Sequence, residues 1–120
     1  MPEVVKHMQE EELTFIKGFG RVTYLDVKNT IQEYLRITQK FGTNKVLSDH
    51  TKVKSVPEYI EIFNLGSLVG QLFKGYNIAL IYRPELKDDY LLFKKSVNAR
   101  GSNLKLFECK NTALEWLDCL

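Results

Sequence analysis

The chain has 120 residues, of which 44% are hydrophobic and 27% charged, and its 17 basic and 15 acidic side chains leave a formal net charge of +2. That length suits one domain with one core, the composition excludes disorder of the whole chain, and so small a charge gives no argument for nucleic acid. Cys109 and Cys119 are the only cysteines, too few for a disulfide framework, and they read as reduced thiols.

Residues 3–8, EVVKHM, read as a short strand, QEEE as a turn, and LTFIKGFG as a second strand with Leu13, Phe15 and Phe19 on alternate positions. Together they predict a hairpin, with Gly18 and Gly20 allowing a bulge at the strand end. The period then becomes helical. In TYLDVKNTIQEYLRITQKFG, Val27, Ile31, Tyr34, Leu35, Thr38 and Phe41 share one face, Thr23 and Asp26 have capping-box spacing, and Gly42 is a natural stop. NKVLSD follows as a third strand. SVPEYIEIFNLGSLVGQLFKG reads as a second helix ending near Gly75, and YNIALIY as a central strand that is apolar on both faces. PELKDDYLLFKKSVN predicts a third helix with Leu86, Tyr90, Phe93 and Val97 in line. Asp88 and Asp89 near its start and Lys94 and Lys95 near its end suit the helix dipole. LKLFECK is the last strand, and NTALEWLDCL a last helix with a Thr112–Glu115 capping box.

A strand pair followed by repeated helix–strand units argues for an α/β fold. The expected architecture is a single domain over residues 1–120, with a four- to five-stranded, mostly parallel sheet, an N-terminal strand pair and three to four helices. The longest apolar-rich run, Tyr59 to Phe73, is interrupted by Glu61, Asn64, Gly66, Ser67, Gly70 and Gln71, so no membrane insertion is expected. The segment MPEVVKHMQEEE lacks the apolar core of a secretion signal, so the expected location is cytoplasmic.

GRVTYLDV opening the first helix, NKVLSDHTKVKSV as strand and loop, YNIALIY as central strand, and LKLFECKNTALEWL as final strand and helix carry a resemblance. Over residues 12–120 the chain resembles the STAS superfamily (sulfate transporter and anti-sigma factor antagonist), in particular its SpoIIAA-like stand-alone branch. The resemblance implies a β-α fold that works by binding regulatory proteins or small, sometimes apolar, ligands. It also implies a phosphorylation switch at a Ser or Thr where the second helix begins, in an Asp-Ser-Ser-Gly-like turn. Here Pro57-Glu58-Tyr59-Ile60 occupies that place, so the usual phosphorylation is not expected.

Ser48, Asp49 and His50 invite a hydrolase reading. Side chains alternate along a strand, which puts Ser48 and His50 on one face and Asp49 on the other, so the three cannot hydrogen-bond in series. No Gly-x-Ser-x-Gly elbow is present. Asp49 and His50 are instead placed at the carboxyl end of a strand, where open α/β sheets bind ligands. Ser55-Val56-Pro57-Glu58 has capping-box spacing, with Pro57 in the first turn. Glu58 would add a standing negative charge at the helix start, where the family's relatives acquire a phosphate.

In the second helix, Tyr59, Ile62, Phe63, Gly66, Val69, Gly70 and Phe73 share a face, with Ile60, Leu65, Leu68 and Leu72 at or beyond its edge. Two glycines inside a helix cost about 1 kcal/mol each against alanine, which calls for a close helix contact or a pocket to offset them. Lys94, Lys95, Arg100, Lys105 and Lys110 give the last third a basic bias without a nucleic-acid motif. His7, His50, Cys109 and Cys119 show no metal-ligand spacing, and no phosphate-binding glycine loop is present.

The sequence therefore reads as a cytoplasmic STAS-like binding or regulatory module without catalytic residues, cofactor or metal. Its partner would be a protein or an apolar small molecule, bound through Asp49, His50, Ser55, Glu58, Gly66 and Gly70, with homodimerisation an open option. Two alternatives stand beside this: a carrier of an apolar small molecule with its pocket beneath the glycine face, and an enzyme using Asp49 and His50 as general acid and base.

Overall fold

The computed structural model describes residues 3–9 and 12–120. Its elements are β1 Glu3–Met8, β2 Leu13–Arg21, α1 Tyr24–Phe41, β3 Lys45–Ser55, α2 Tyr59–Leu72, β4 Asn77–Ile81, α3 Lys87–Asn98, β5 Asn103–Phe107 and α4 Lys110–Asp118, with a 3-10 turn at Pro84–Leu86 leading into α3. The sheet order is β1-β2-β3-β4-β5. β1 pairs antiparallel with β2 and the remaining pairs are parallel. Residues 10 and 11 of the expected QEEE turn lie outside the described residues.

Because strand order follows chain order, every crossover steps in the same direction, and right-handed crossovers then bring their helices to one face. On that face Ile31 and Tyr34 of α1, Leu65 and Val69 of α2, and Tyr90 and Val97 of α3 pack on Ile16, Val46, Ile78, Leu80 and Leu104. The alternate residues Leu13, Leu47, Ala79 and Ile81 point the other way, where Ala113 and Leu117 of α4 meet them. β4, flanked by β3 and β5, is apolar on both faces for this reason.

The ends of α1 form as the sequence predicts. The Asp26 amide donates to Thr23 Oγ1 at 3.2 Å, the Thr23 amide donates to Asp26 Oδ2 at 2.9 Å, and Gly42 closes the helix in the left-handed conformation. The starts of α2 and α4 differ from expectation. β3 runs on to Ser55, whose carbonyl accepts from the Val22 amide at 3.0 Å. The N-cap of α2 is Glu58, and its amide donates to Glu61 Oε1 at 3.2 Å. The strand held Ser55 because β2 extends beside it, and Pro57 then delays the helix. α4 begins three residues before the predicted box. Cys109 is its N-cap, and the Thr112 hydroxyl donates to the Cys109 carbonyl instead of capping.

The predicted stripe of α2 is also rotated. Ile62, Leu65, Gly66, Val69 and Gly70 are buried, whereas Tyr59 and Phe63 are exposed. The glycines set this rotation, because they face α3. A methyl group at Gly66 would sit 2.6 Å from Ser96 Cβ and 3.1 Å from the Phe93 carbonyl oxygen. One at Gly70 would strike the Val97 carbonyl oxygen and lie 2.6 Å from Arg100 Cβ. Ser96 closes the seam by donating to the Phe63 carbonyl at 2.6 Å.

Three expectations follow, all measured by urea unfolding. Gly66→Ala and Gly70→Ala should each cost about 1–3 kcal/mol through overpacking, with Gly70→Ala the larger because a backbone carbonyl is less able to yield than a serine. Ser55→Ala should stay within about 0.5 kcal/mol of wild type, since Ser55 is exposed and caps nothing. Thr23→Ala should cost about 1 kcal/mol.

Candidate functional site

The site begins with an irregularity in β3. Lys17 pairs with Asp49 and Phe19 with Lys52, so His50 and Thr51 together oppose Gly18. Two residues facing one is a β-bulge, which re-aims side chains. Asp49 holds it: its Oδ1 accepts from the Thr51 amide at 3.0 Å and from the Thr51 hydroxyl at 2.7 Å. Asp49 is thus spent on local structure and is not a partner of His50. Asp49 is also the last residue of β3 paired with β4, so the bulge lies where the parallel core ends, and the expected strand end at this point is instead a bulge within a longer strand.

On the inner face His50 is nearly enclosed, with its side chain 14% exposed. Its Nε2 lies 2.8 Å from Ser48 Oγ and its Nδ1 2.8 Å from the Tyr90 hydroxyl of α3. One ring nitrogen donates and the other accepts, so both are occupied in the neutral ring. Ser48 and His50 therefore do hydrogen-bond, as residues two apart on one strand face, and the third member of the series is Tyr90 where a triad would have a carboxylate.

Glu3 enters from β1. It pairs across β1 and β2 with Gly18, and the missing side chain at Gly18 leaves it a view of β3. Its Oε2 comes within 3.9 Å of His50 Nε2, and its Oε1 accepts from the Thr30 hydroxyl of α1 at 2.7 Å. Burial pushes the Glu3 carboxyl up to about 7, against the pull of the Thr30 bond and with a push from Asp26. Burial also pushes the His50 imidazole down to about 4, opposed by the nearby Asp49 charge. Tyr90 is driven above its ordinary range by burial and by the Glu3 and Asp89 charges.

Around this row the walls are apolar. A recess of about 60 Å³ opens where β3 hands over to α2, lined by Val22, Val27, Val56, Pro57, Ile62, Leu65 and Phe93 beside Glu3, His50, Asp89 and Tyr90. An adjoining cavity of about 60 Å³ lies deeper, between the sheet and the helices. At the rim, Tyr59, Ile60 and Phe63 are 68%, 63% and 45% exposed and form an apolar concavity with Glu58.

Of the residues singled out in the sequence, His50 lines the recess, Asp49 shapes it, and Glu58 stands at its rim. Ser55 ends the strand beside it. Gly66 and Gly70 lie in the α2–α3 seam and line none of these cavities. Glu3, Thr30, Tyr34 and Tyr90 were not singled out as site residues. Glu3 carried a signal, since the alternation Glu3, Val5, His7 puts a carboxylate on the same strand face as Val5, which packs on the core. Tyr90 was legible only as one member of an apolar stripe.

No family model matches the chain, and no curated protein sequence matches it. Solved structures do. An uncharacterized protein of the DUF3478 family from Shewanella loihica PV-4, with a SpoIIAA-like fold, is similar with a TM-score of 0.60 at 24% identity over 96% of this chain and 91% of that one. The anti-sigma factor antagonist SpoIIAA in its unphosphorylated form is similar with a TM-score of 0.66 at 8% identity over 98% of this chain and 99% of that one. The chain thus has a SpoIIAA-like α/β fold. At these identities the likeness is one of fold.

The buried pair predicts an unusual pH profile. Unfolded, the two groups titrate near 4.5 and 6.5. Glu3 is raised on folding, so its contribution to stability is full below about pH 4.5 and is lost as pH rises through about 7. His50 is lowered, so its contribution is full above about pH 6.5 and is lost as pH falls through about 4. Between these limits the slopes oppose, because folding moves one proton from histidine to glutamate. Glu3→Gln removes only the first slope. Urea unfolding should find this variant more stable than wild type at pH 8, by on the order of 2–3 kcal/mol. It should then lose that gain as pH falls from about 7 to about 4.5, the range over which wild-type Glu3 recovers its contribution. Parallel curves for the two proteins would contradict the assignment.

Proposed function

We propose that the chain is a small cytoplasmic regulatory module that docks a protein partner on the N-terminal end of α2. The observation that carries this is the exposed trio Tyr59, Ile60 and Phe63, on one rim beside Glu58. Three large apolar side chains together on a surface mark an interaction site, and aromatic residues dominate interface energetics. Their exposure has a cause within the fold: the glycine seam turns α2 so that Ile62, Leu65 and Val69 face the core, and the trio is left outward. The similarity to an anti-sigma factor antagonist supports a protein as the partner.

Regulation by phosphate at this end is not part of the reading. Glu58 caps α2 and Glu61 lies in its first turn, so the positive end of the helix dipole already carries carboxylates. Nor does the reading assign a reaction to Ser48. Its backbone is paired with Ile16 on one side and Leu80 on the other. It therefore has no free amide pair to stabilise an oxyanion.

The test is a binding assay with Ile60→Asp and Phe63→Asp, both surface changes expected to leave stability within about 0.5 kcal/mol. A protein captured by the wild-type chain should be lost with both variants while circular dichroism is unchanged. Capture that survives both substitutions would refute this surface. Sedimentation of the wild type separates a heterologous partner from a second copy of the chain: a dimer abolished by Ile60→Asp would make the partner the chain itself.

A further inference from the structure

We propose that the outer face of the sheet carries a binding site for a small amphiphilic anion. The ligand is an apolar group about the size of a benzene ring with an anionic head, held between Lys6 of β1 and Lys110 of α4. The site follows from incomplete cover. Five strands about 4.8 Å apart span about twice the width of one helix. The helix on this face is α4, and it rests on β3, β4 and β5. On its β5 flank Trp116 packs against Phe107, with ring centroids 5.8 Å apart, and fills the edge. The β2 flank is hollow. A cavity of about 140 Å³ lies there, with Phe15 and Leu47 as its floor and Met8 and Leu114 as its walls. Beyond it, on the same face, Val4 and Phe19 stay 50% and 40% exposed.

Charge narrows the class of ligand. Lys6 stands directly across from Phe15 in the β1–β2 ladder, and Lys110 opens α4. Their Nζ atoms lie 5.5 and 5.6 Å from the centre of the Phe15 ring, and both side chains line the cavity. Neither makes an ion pair among the described residues. Asp49, the acid that the described strands present on this face, stands opposite Lys17 and is bonded to Thr51. Two ammoniums over one ring repel each other, and an anion between them attracts both. Lysine stems are flexible, so a head above Phe15 is within reach of the pair. The floor sets the rest of the ligand, since a cavity of about 150 Å³ accepts benzene. A cationic ligand would add a third positive charge, a neutral one would leave the lysines unanswered, and inorganic phosphate would leave the apolar floor unfilled.

The inference is independent of protein docking on α2, which lies on the other side of the sheet. The probes are benzoate and phenyl phosphate, titrated by ¹H–¹⁵N NMR at low salt beside benzyl alcohol, benzylamine and inorganic phosphate. Shifts should centre on Lys6, Phe15, Leu47, Lys110 and Leu114. Either aromatic anion should bind about tenfold more tightly than benzyl alcohol, benzylamine or inorganic phosphate, and the tighter of the two identifies the head. That advantage should shrink in 1 M salt, where charges are screened beyond about 3 Å. Lys6→Gln and Lys110→Gln should each weaken the anions about 2–5-fold and leave benzyl alcohol unchanged. Both side chains are exposed, so the melting temperature should hold in each variant. Ile60→Asp should bind benzoate as wild type does, so a failure of the docking surface leaves this site standing. Equal response to benzoate and benzyl alcohol would overturn the proposal. So would undiminished anion binding when both lysines are replaced by glutamine. Cosedimentation with phosphatidylglycerol vesicles, with no shift from benzoate or phenyl phosphate, would make the partner a membrane surface and overturn it as well.

Discussion

A carboxyl group and an imidazole share the inner face of the sheet across one glycine, and the surrounding architecture makes that arrangement tolerable. Burying an ion without a well-placed counter-charge costs several kcal/mol. The fold meets this by keeping both groups neutral between about pH 4 and 7: Glu3 is raised to about 7, His50 is lowered to about 4, the Thr30 hydroxyl donates to Glu3 Oε1, and the hydroxyls of Ser48 and Tyr90 bond the two His50 nitrogens. Each piece comes from a different element. β1 brings Glu3, α1 Thr30, β3 the Ser48–His50 pair and α3 Tyr90. The row therefore forms only when the hairpin, the bulge and the helix layer are all in place, and it acts as a check on the register of β1 against β2 and of β2 against β3.

The second constraint is the seam between α2 and α3. With no side chain at Gly66 and Gly70, the two helices approach until backbone meets side chain, and Ser96 ties them to the Phe63 carbonyl. That approach fixes the rotation of α2 and, with it, two surfaces of different character. Ile62 and Leu65 become walls of the recess, while Tyr59, Ile60 and Phe63 remain outside as a rim. A buried polar row and an exposed apolar rim thus sit on either side of one short stretch of helix, at the end of the sheet where the parallel core stops.

Much of the fold was legible in the chain. Alternation in EVVKHM marked a strand with the observed bounds, the apolar run YNIALIY marked one a residue longer at each end than Asn77–Ile81, and Thr23, Asp26 and Gly42 marked the ends of α1. What escaped had local causes. Ser55 and Glu58 have the spacing of a cap, yet β2 recruits Ser55 into its ladder, and a pairing between strands is not written in a four-residue window. Tyr59 and Phe63 fit a helical stripe as well as Leu65 does, and only the contact with α3 chooses between them. The site was half visible. His50 stood out as a titratable residue at the end of an apolar strand segment, but Glu3 lies 47 positions away along the chain and meets it only because Gly18 intervenes. Asp49, the more obvious neighbour, is held by Thr51.

The central claim is that Glu3 and His50 are buried together with their pKa values pushed past each other, so that both are neutral between about pH 4 and pH 7. Carboxyl carbon and imidazole ring resonances followed by NMR from pH 3.5 to 9 test it directly. The structure predicts that the Glu3 carboxyl titrates near 7, while the His50 ring stays neutral down to about 4 and keeps one fixed tautomer above that. A Glu3 carboxyl titrating near 4.5 with a His50 ring titrating near 6.5, the values of groups free in water, would contradict the account.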